Sequence, residues 1–405
     1  MTAPDDTTDP TTLRPTDLRS VRDAVLDSAG GLAIAGAGTA AAWGGDLGPV
    51  DAVLDMTGVT GVITHNPGDM TVSVHAGTPL QRLAEELAPH GQHVSFDAAR
   101  VARGATVGGL VATADAGPSA LVHGSLRDLV IGTTVVLADG TVARSGGHVI
   151  KNVAGYDLAK LIHGSYGTLG VLVEVVLRLH PAPKRTTTVA LDCPLAEAVE
   201  HAHRVLDGPY EPVALEWRSD SDGSGDGPAA TEAGRLLVRV EGTEDALPGR
   251  AQRLREALGA GATEVTSGSD AGEWAAHAER VRGGPGHAVL RIGALPSALP
   301  ALLAALPGAA TPDAALTIGL GTGVATAALP ADAAAIEHAH HAVHAAGGTS
   351  TLRDRPAGFG GPAWGPPPSA VGVLKAVKTA LDPVGRFGPG RFAPWFELTS
   401  PGRTT

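Results

Sequence analysis

The sequence predicts an α+β protein of two domains. With 405 residues the chain is too long for one small core, which favours two domains. Hydrophobic residues make up 43% of the chain and charged residues 18%, which is typical of a globular protein and not of a disordered one. In the first half, glycine-rich loops follow short strands; after residue 186, strand-like and helix-like segments alternate. This alternation indicates an antiparallel sheet with helices on one face.

The first domain is predicted to begin after an acidic, polar, disordered tail of residues 1–13. Thr16 is a candidate N-cap for a helix over about 17–28, which Gly30 and Gly31 close. Strands are predicted at "LAIAG" (32–36), "AVLD" (52–55), "GVITH" (61–65) and "MTVSVHAG" (70–77), and a helix with Pro79 in its first turn ends before Gly91.

A hairpin and a long strand complete this domain. The segment "LVIGTTVVLADGTVARSGG" (129–147) predicts a β-hairpin in which Asp139 and Gly140 form a two-residue turn. The apolar run "VLVEVVLRLHP" (171–181) predicts a long strand that Pro181 and Pro183 end. We therefore expect the first domain to span residues 14–182.

The second domain is predicted over residues 186–352. Its strand candidates are "TTTVALDC", "VALEW", "RLLVRVEG", "HAVLRIG" and "ALTIGL", and its helix candidates lie at about 195–207, at about 245–258, in "SALPALLAAL" and in "ADAAAIEHAHHAVHAAG". A turn-rich linker after residue 353 leads to a helix, "AVGVLKAVKTAL", and to the tail "DPVGRFGPGRFAPW". We expect residues 353–400 to return to the first domain.

Charge and cysteine content exclude several classes of function. The net charge is −12 without a block of lysine or arginine, so nucleic acid is not an expected partner. The single cysteine, Cys193, excludes a disulfide framework and a cysteine-bound iron–sulfur cluster within this chain. The first residues lack the basic and apolar segments of a secretory signal, and no apolar run is long enough to span a membrane. We therefore expect a cytoplasmic protein that meets the inner membrane only through partners.

Four histidines, His338, His340, His341 and His344, share one predicted helix. Their spacings of three and four residues would suit zinc, but no other type of ligand accompanies them. We interpret them as a solvated, weakly basic helix face and expect no metal site.

Three glycine-rich loops, at 36–45, 104–118 and 146–170, offer consecutive backbone N–H groups with few side chains in the way. Such groups bind phosphate oxygens, and the acidic chain has no basic cluster that could bind them instead. By itself, "AGAGTA" is more typical of a tight turn than of a cofactor site. It lacks the third glycine of the dinucleotide fingerprint and a clear βαβ unit around it, so we exclude a nicotinamide Rossmann site.

Two segments, "GATVGGLVATADAGPSALVHGSLRD" (104–128) and "KNVAGYDLAKLIHGSYGTLG" (151–170), closely resemble the PCMH-type FAD-binding domain of the vanillyl-alcohol oxidase family. The resemblance covers about 14–182, is strongest to the FAD-binding subunits of bacterial glycolate oxidases, and reaches the "DPVGRFGPGRF" tail. It implies a two-subdomain PCMH-type FAD-binding domain, an α+β cap domain with an antiparallel sheet over 186–352, and a short C-terminal segment that returns to the first domain.

The resemblance also implies which residues bind the cofactor. The first two loops would hold the FAD pyrophosphate, "HGSLRD" (123–128) would contact adenosine or pyrophosphate, and "GSYGTLG" (164–170) would lie against the cofactor. The implied FAD-binding residues are Gly36, Ala37, Gly38, Thr39, Thr106, Gly108, Gly109, Gly124, Ser125, Arg127, Asp128, Gly164, Gly167 and Gly170.

Lys151 and Asn152 open the segment around the third loop, and the sequence leaves two interpretations open. A cation near the N1/O2 edge of the flavin would stabilise the negative charge of the reduced ring. Alternatively, the two residues form a surface pair that opens a turn. Both residues are kept as candidates for cofactor binding.

The chain departs from the catalytic 2-hydroxy-acid dehydrogenases of this superfamily in three places. Tyr166 replaces the glutamate of "GSEGTLG", "ATADAGP" replaces an "NAGG"-like segment, and "RDRPAGFGG" replaces a "GEHG" metal motif. These departures fit the glycolate-oxidase FAD subunit and leave the catalytic residues unassigned. The first loop lacks the histidine or tyrosine to which covalent-flavin relatives attach the cofactor, which favours noncovalent FAD.

The function that the resemblance implies is an FAD-dependent oxidoreductase. Such a chain would be the FAD subunit of a glycolate oxidase-like complex that oxidises a small 2-hydroxy acid, beside a second flavin subunit, and passes electrons to an iron–sulfur subunit. Two alternatives stay open, a non-catalytic FAD-stabilised assembly or electron-relay subunit and a stand-alone flavin oxidase. Fold analogy does not select the substrate.

Overall fold

The computed structural model of the chain describes residues 9–149, 157–221, 228–265, 267–309 and 311–396, and they form mixed helix and sheet structure as predicted. The strands of the N-terminal region (9–182) are β1 (Thr11–Leu13), β2 (Leu32–Ala35), β3 (Ala52–Asp55), β4 (Val62–Asn66), β5 (Thr71–His75), β6 (Gln92–His93), β7 (Val130–Val136), β8 (Val142–Gly146), β9 (Val171–Arg178) and β10 (His180–Pro181). Its helices are α1 (Leu18–Asp27), α2 (Leu80–Leu87), α3 (Val107–Ala112), α4 (Ala120–His123), α5 (Leu126–Leu129) and α6 (Leu158–Ile162).

Two main sheets organise this region. Strands β1, β3 and β2 form a parallel sheet in that order, and β4, β5, β9, β7 and β8 form an antiparallel sheet. The central strand β9 is buried on both faces: Val171 and Val173 pack in one apolar core with α1, and Leu172 packs in a second core with α2 and α3. Burial on both faces explains why the sequence of β9 is an almost continuous apolar run.

The start of the chain differs from the prediction at two points. Strand β1 occupies residues 11–13, which we expected to belong to a disordered tail, because its backbone pairs with β3. Helix α1 begins at Leu18, and its N-cap is Asp17 instead of Thr16. Asp17 Oδ1 accepts a hydrogen bond from the Ser20 N–H (2.7 Å), so its carboxylate satisfies a donor of the first helical turn.

The β7–β8 hairpin lies where it was predicted, but its turn is one residue longer. The Leu137 N–H donates to the Thr141 carbonyl oxygen (2.9 Å), which leaves Ala138, Asp139 and Gly140 as a three-residue loop. Gly140 has φ +79°. A glycine in the left-handed region at the end of a three-residue loop also fits the twist of the flanking strands, so the sequence signal did not distinguish the two turns.

The second region (185–352) contains one large sheet. Its strands are β11 (Arg185–Asp192), β12 (Ala214–Ser219), β13 (Gly234–Gly242), β14 (Thr263–Val265), β15 (His287–Gly293), β16 (Ala315–Gly319), β17 (Val324–Pro330) and β18 (Thr349–Leu352). Its helices are α7 (Leu195–Leu206), α8 (Leu247–Leu258), α9 (Ser267–Arg282), α10 (Leu299–Ala305) and α11 (Ala333–Ala345). The strand order is β14-β11-β13-β12-β16-β17-β15-β18 and every pair is antiparallel, which confirms the predicted sheet type. None of the helices in the described part of the chain is long and apolar enough to cross a lipid bilayer.

Helix α9, which the sequence analysis missed, lies on the opposite face of this sheet from the other helices of the region. Leu191 and Leu236 pack with α7, α8, α10 and α11 in one large core, whereas Ala190 and Leu237 pack against Trp274 of α9. The prediction of helices on one face is therefore wrong for α9. Its buried side includes polar residues such as Asp270 and His277, so no apolar stripe marks the helix in the sequence.

The C-terminal segment packs against the N-terminal region. Helix α12 (Val371–Leu381) buries Lys378, whose Nζ donates to the carbonyl oxygens of Thr168 (2.7 Å) and Phe387 (3.0 Å) and to Asp382 Oδ2 (2.5 Å). Phe387 is fully buried in the core that also contains Leu32. The loop that precedes β9 and the start of β2 are therefore both held by residues from the end of the chain.

The histidine-rich helix α11 is solvated only in part. His338, His341 and His344 are exposed, but His340 is buried, with Nδ1 2.6 Å from Ser350 Oγ and Nε2 3.1 Å from the Pro362 carbonyl oxygen. The interpretation of all four as a solvated face is wrong for His340, because its ring forms hydrogen bonds to β18 and to the linker. Within the described residues, no group of three or more histidine, cysteine, aspartate or glutamate side chains is placed to bind a metal ion.

Candidate functional site

The glycine-rich loops of the N-terminal region line one cleft, which we call the glycine cavity. Residues 36–41 after β2, residues 106, 108 and 109 at the start of α3, and residues 165–167 before β9 contribute to its surface. Ile34 of β2 and Leu172 of β9 add apolar area. Counted with the solvent at its mouth, the cavity has a volume of about 1190 Å³.

Two glycines keep the backbone of this cavity accessible. Gly38 has φ +71°, and a Cβ atom at this position would have no protein atom within 4 Å. Gly167 also has φ +71°, and a Cβ atom there would lie 3.4 Å from the Cβ of Ile34. Both residues need a backbone conformation that favours glycine, but only Gly38 leaves open space that a ligand could fill, because Ile34 lies in contact with the Cβ direction of Gly167.

Thr106 brings the first loop close to α3. Its Oγ1 accepts a hydrogen bond from the Gly109 N–H (3.2 Å) and so caps the helix. A Cβ atom on Gly36 would lie 2.5 Å from the same Oγ1. Glycine at position 36 is therefore required for the close approach of the two loops, whether or not a ligand is bound.

Arg100, which the sequence analysis did not single out, connects these loops. Its guanidinium donates to Thr39 Oγ1 (3.0 Å) in the first loop and to Thr113 Oγ1 (2.6 Å) after α3, and its Nε donates to Asp115 Oδ2 (2.9 Å). Burial lowers the pKa of Arg100, and the neighbouring Asp115 carboxylate opposes this change. One buried arginine thus determines how far apart the two loops lie.

Asp115 also binds a second buried arginine, Arg353, through its Oδ1 (3.1 Å to Nη1). Both guanidinium groups also lie over the indole ring of Trp43, with Cζ of Arg100 4.1 Å and Cζ of Arg353 3.7 Å from its centre. Burial by itself would raise the pKa of Asp115, but Arg353 and Arg100 outweigh it and hold this pKa below its ordinary value. Asp115 is therefore a buried carboxylate that stays charged.

A second cavity lies between the N-terminal region and the face of the eight-stranded sheet that carries α9. We call it the arginine cavity; its ionisable lining includes Arg100, Arg239, Arg291, Arg353, Glu216 and His277, and the carboxylates Asp97, Asp115, Glu279 and Asp354. Arg239 of β13 spans the interface between the two regions, with Nη2 2.7 Å from Asp97 Oδ2. Because Arg100 lines both cavities, the two cavities are adjacent.

Glu216 of β12 and His277 of α9 face each other in this cavity, with Oε2 3.6 Å from Nε2. Burial, aided by the Asp97 carboxylate, raises the pKa of Glu216 to about 8. Burial, aided by the positive charge of Arg218, lowers the pKa of His277 to about 4. At neutral pH both groups are therefore mostly uncharged, and the contact is not an ion pair.

The raised pKa of Glu216 predicts a specific dependence of stability on pH. Between the ordinary value of 4.5 and about 8, the folded protein holds a proton on Glu216 that the unfolded chain has lost, so the free energy of unfolding falls as pH rises. His277 acts in the opposite direction, but only between about 4 and its ordinary pKa of 6.5. Between pH 6.5 and 8 the effect of His277 is therefore small. In this range Glu216 lowers the free energy of unfolding by up to about 1.4 kcal/mol per pH unit.

We expect Glu216→Gln to remove this loss. Urea unfolding at pH 6.5 and pH 8 measures the difference in unfolding free energy for each protein, and Glu85→Gln on the exposed side of α2 is the matched control. The control should lose as much stability as the wild-type protein does. A Glu216→Gln variant with the same loss would show that Glu216 is already ionised at pH 6.5.

Most of the predicted cofactor-binding residues do line the glycine cavity: Gly36, Ala37, Gly38, Thr39, Thr106, Gly108, Gly109, Gly167 and Gly170. Two of these glycines also have a packing role. A Cβ atom on Gly108 would lie 2.9 Å from the Cβ of Ala76, and one on Gly170 would lie 2.6 Å from Cγ1 of Val135. Their place on the cavity wall therefore does not by itself indicate contact with a ligand.

The remaining predicted residues lie elsewhere. Ser125 and Asp128 form a capping box at the start of α5, and Arg127 is within the same short helix. A Cβ atom on Gly124 would lie 2.5 Å from Asp128 Oδ2, so this glycine makes room for the cap. Neither this segment nor Gly164, whose N–H donates to the Val111 carbonyl oxygen (3.1 Å), lines the glycine cavity. Lys151 and Asn152 lie outside the described residues.

The sequence analysis missed the residues that connect the two cavities. Asp115 lies in the second glycine loop and Arg100 lies just before it. The sequence analysis of this loop considered mainly its glycines. Asp115 and Arg353 are 238 positions apart, so no local pattern joins them. The available signal was an arginine and an aspartate inside apolar, glycine-rich sequence, since buried charges are almost always paired.

The family comparison covers the region that contains the first two glycine loops. Residues 12–146 match the family model described as "FAD binding domain". The chain carries an FAD-binding domain. This match confirms the predicted cofactor, FAD.

The chain is similar to glycolate oxidase subunits and to D-lactate dehydrogenases. The chain is 32% identical over 206 residues to "Glycolate oxidase subunit GlcE" of Escherichia coli (strain K12), which covers 51% of this chain and 54% of that protein. It is 39% identical over 147 residues to a D-lactate dehydrogenase of Archaeoglobus fulgidus, 35% of this chain and 32% of the relative. It is 39% identical over 113 residues to "Glycolate oxidase subunit GlcD" of Bacillus subtilis (strain 168), 28% of this chain and 24% of the relative. The matches thus span about half or less of these relatives.

A solved structure of alkyldihydroxyacetonephosphate synthase has the same fold over most of the chain. The aligned region covers 92% of this chain and 74% of that protein, with a TM-score of 0.65 and 16% sequence identity. The similarity extends beyond the FAD-binding domain to the eight-stranded sheet, and at this identity it supports the fold alone.

The lining of the glycine cavity fits FAD. The Cβ direction of Gly38 is empty, so the first loop can approach a ligand through its backbone. Thr39 and Thr113 add hydroxyl groups, Arg391 adds a positive charge that suits a pyrophosphate, and Ile34 and Leu172 offer apolar surface for a ring. The FAD-binding domain therefore contains a cleft of suitable size and chemistry for its cofactor.

Proposed function

We propose that this chain is the FAD subunit of a complex that oxidises a small 2-hydroxy acid and passes the electrons to an iron–sulfur partner. The observation that carries the proposal is the adjacency of the two cavities through Arg100. A cofactor in the glycine cavity would lie next to an arginine-rich cavity in which Arg291 could bind an acidic substrate. The names of the relatives, two glycolate oxidase subunits and a D-lactate dehydrogenase, support the same substrate class.

The glycine loops would hold the cofactor without a covalent bond. Gly38 would present its backbone N–H to the pyrophosphate, and Arg100 would keep Thr39 at a fixed distance from α3. When bound, FAD accepts two electrons as a hydride from the substrate. The chain's own contribution is to position this group and to exclude water from it.

Partner subunits would supply what this chain lacks. Its single cysteine, Cys193, is buried, and burial raises the pKa of its thiol to about 12, so it does not offer the thiolates that an iron–sulfur cluster needs. Tyr166 stands where catalytic relatives have glutamate, and burial raises the pKa of its phenol, so it stays neutral. A second flavin subunit and an iron–sulfur subunit would complete the catalytic unit.

The test is to purify the chain alone and together with the products of neighbouring genes. Both preparations should be yellow and should release flavin on acid denaturation. Under anaerobic conditions, glycolate or D-lactate should bleach the flavin of the complex, and an iron–sulfur subunit should co-purify. Full turnover with an external acceptor by the isolated chain would instead support a stand-alone enzyme. A complex whose flavin in this chain never changes its redox state would support a purely structural role for FAD.

Lys151 provides a test of whether this flavin is redox-active. If its ammonium lies near the N1/O2 edge, it favours the negative charge of the reduced ring. Two unit charges about 4 Å apart interact by about 4 kcal/mol at an effective dielectric constant of 20, and solvent reduces this value. A residual effect of about 1.4 kcal/mol corresponds to about 30 mV for a two-electron couple. Lys151→Met should therefore lower the flavin midpoint potential by about this amount while FAD content stays normal.

The matched control for this prediction is Lys375→Met on the exposed side of α12. Water and salt screen an exposed charge, so its neutralisation should leave the potential unchanged. Spectroscopic redox titrations of the three proteins at one ionic strength make the comparison. Equal potentials in all three would remove Lys151 from the cofactor site.

A further inference from the structure

The eight-stranded sheet presents a row of polar side chains to the arginine cavity. Arg291 of β15 is paired across the strands with Thr326 of β17, and Thr326 is paired with Thr317 of β16. Directly paired residues project from the same face of a sheet, about 5 Å apart. All three residues line the arginine cavity, so they form one continuous row across three adjacent strands.

Arg291 differs from the other buried or half-buried arginines of the cavity because it forms no ion pair. Arg100 and Arg353 bind Asp115, and Arg239 binds Asp97. Among the described residues, no carboxylate lies within ion-pair distance of Arg291 and no acceptor forms a hydrogen bond with its guanidinium. Burial, with the nearby Arg353 charge, lowers the pKa of Arg291 to about 9, so it is still protonated at neutral pH. An unmatched, desolvated guanidinium is a position at which an anion would be stabilised.

The two threonines have unused hydrogen-bonding capacity. Thr317 and Thr326 are 4% and 2% exposed, and within the described residues neither side-chain hydroxyl has a hydrogen-bond partner. The neighbouring Nδ1 of buried His277 also has no partner in this structure. The cavity therefore offers a cation without an ion pair, Arg291, next to neutral polar groups that lack hydrogen-bond partners within the described residues.

We propose that the row Arg291–Thr326–Thr317 is a binding site of this chain for a small monocarboxylate that carries a hydroxyl or oxo group on C2. The guanidinium of Arg291 would bind the carboxylate through two parallel hydrogen bonds. The threonine hydroxyls would bond to the C2 oxygen, which lies one carbon away from the carboxylate. The site deepens the proposed function, and it assigns the acid-binding role to this chain and not to a partner subunit.

The chemistry of the row favours a carboxylate over a phosphate ester. One planar guanidinium matches the two oxygens of a carboxylate, whereas the other buried or half-buried arginines of the cavity are already engaged with Asp97 and Asp115. Glu216 and His277 are mostly uncharged at neutral pH, so they neither repel a single negative charge nor attract a second one. The expected ligand is therefore singly charged.

Isothermal titration calorimetry on the full chain, with and without FAD, tests the site. Glycolate should bind more tightly than acetate, which lacks the hydroxyl, and uncharged glycolamide should bind more weakly than both. Arg291→Met should weaken glycolate binding tenfold or more, which is about 1.4 kcal/mol. Thr326→Val should weaken glycolate binding but leave acetate binding unchanged, which separates the two halves of the site. Arg82→Met, on the exposed side of α2, is the matched control and should change neither.

The outcomes distinguish this site from the cofactor proposal. Glycolate binding to the FAD-free chain would support the site even if the chain proved unable to hold FAD. The proposal is overturned if Arg291→Met binds glycolate as the wild-type protein does, or if inorganic phosphate displaces glycolate at equal concentration. Absence of measurable glycolate binding to the FAD-loaded chain would also overturn it. Because Arg291 has no partner to leave unsatisfied, we expect Arg291→Met to fold, and its melting temperature checks this.

Discussion

Gly38→Val is expected to abolish FAD retention without unfolding the protein. The Cβ direction of Gly38 holds no protein atom within 4 Å, so valine would add its methyl groups to space in the glycine cavity that the proposed cofactor needs. The positive φ of +71° adds backbone strain of about 1–2 kcal/mol. We expect a tenfold or greater loss of bound flavin per chain, measured by absorbance after acid release.

Gly91→Val separates the strain from the steric effect. Gly91 closes the turn after α2 with φ +63°, it has no protein atom within 4 Å of its Cβ direction, and it lies outside the glycine cavity. Both variants should lose similar thermal stability, but only Gly38→Val should lose flavin. If Gly38→Val retains stoichiometric flavin, the first loop does not contact the cofactor. If both variants lose flavin equally, backbone strain is the cause.

Asp115→Asn is expected to destabilise the fold more than any surface substitution. The carboxylate of Asp115 binds Arg100 at 2.9 Å and Arg353 at 3.1 Å, and all three side chains are almost fully buried. Removing the charge would leave two buried guanidinium groups without their counter-ion, and breaking buried pairs in this way costs about 3–5 kcal/mol. Urea unfolding should show a loss in this range. Because Arg100 also positions Thr39 and Thr113, the variant should release FAD more readily.

The matched control is Asp192→Asn, which removes an exposed ion pair with Arg235. Exposed pairs contribute about 1 kcal/mol or less, so this variant should be close to the wild-type protein in stability and flavin content. A loss for Asp115→Asn no larger than that of the control would mean that water reaches the Arg100–Asp115–Arg353 group. Normal stability with loss of flavin would assign Asp115 to cofactor binding and not to the fold.

Local sequence signals predicted those helices, strands and turns that their own residues largely determine. The Asp139–Gly140 pair predicted a hairpin because a glycine with positive φ is required beside the strand ends, although it did not determine the loop length. The run of β9 predicted a buried strand because both of its faces pack in apolar cores. Helix α9 gave no such signal, since polar residues such as His277 occupy its buried side where it lines the arginine cavity.

The sequence by itself determined the fold class, the type of the large sheet, the cofactor, and the loops that line the glycine cavity. The cofactor and its loops came from the resemblance of two glycine-rich segments to a known FAD-binding domain, whereas the sheet type came from the alternation of strand-like and helix-like segments. Only the tertiary structure decided that Asp115 meets Arg353 across 238 positions and that Arg291 lies beside Thr326 without a counter-ion. In the sequence, Asp115, Arg353 and Arg291 resemble ordinary surface charges. Burial, which makes a charge costly unless it is matched, arises only when two distant regions of the chain close around a cavity.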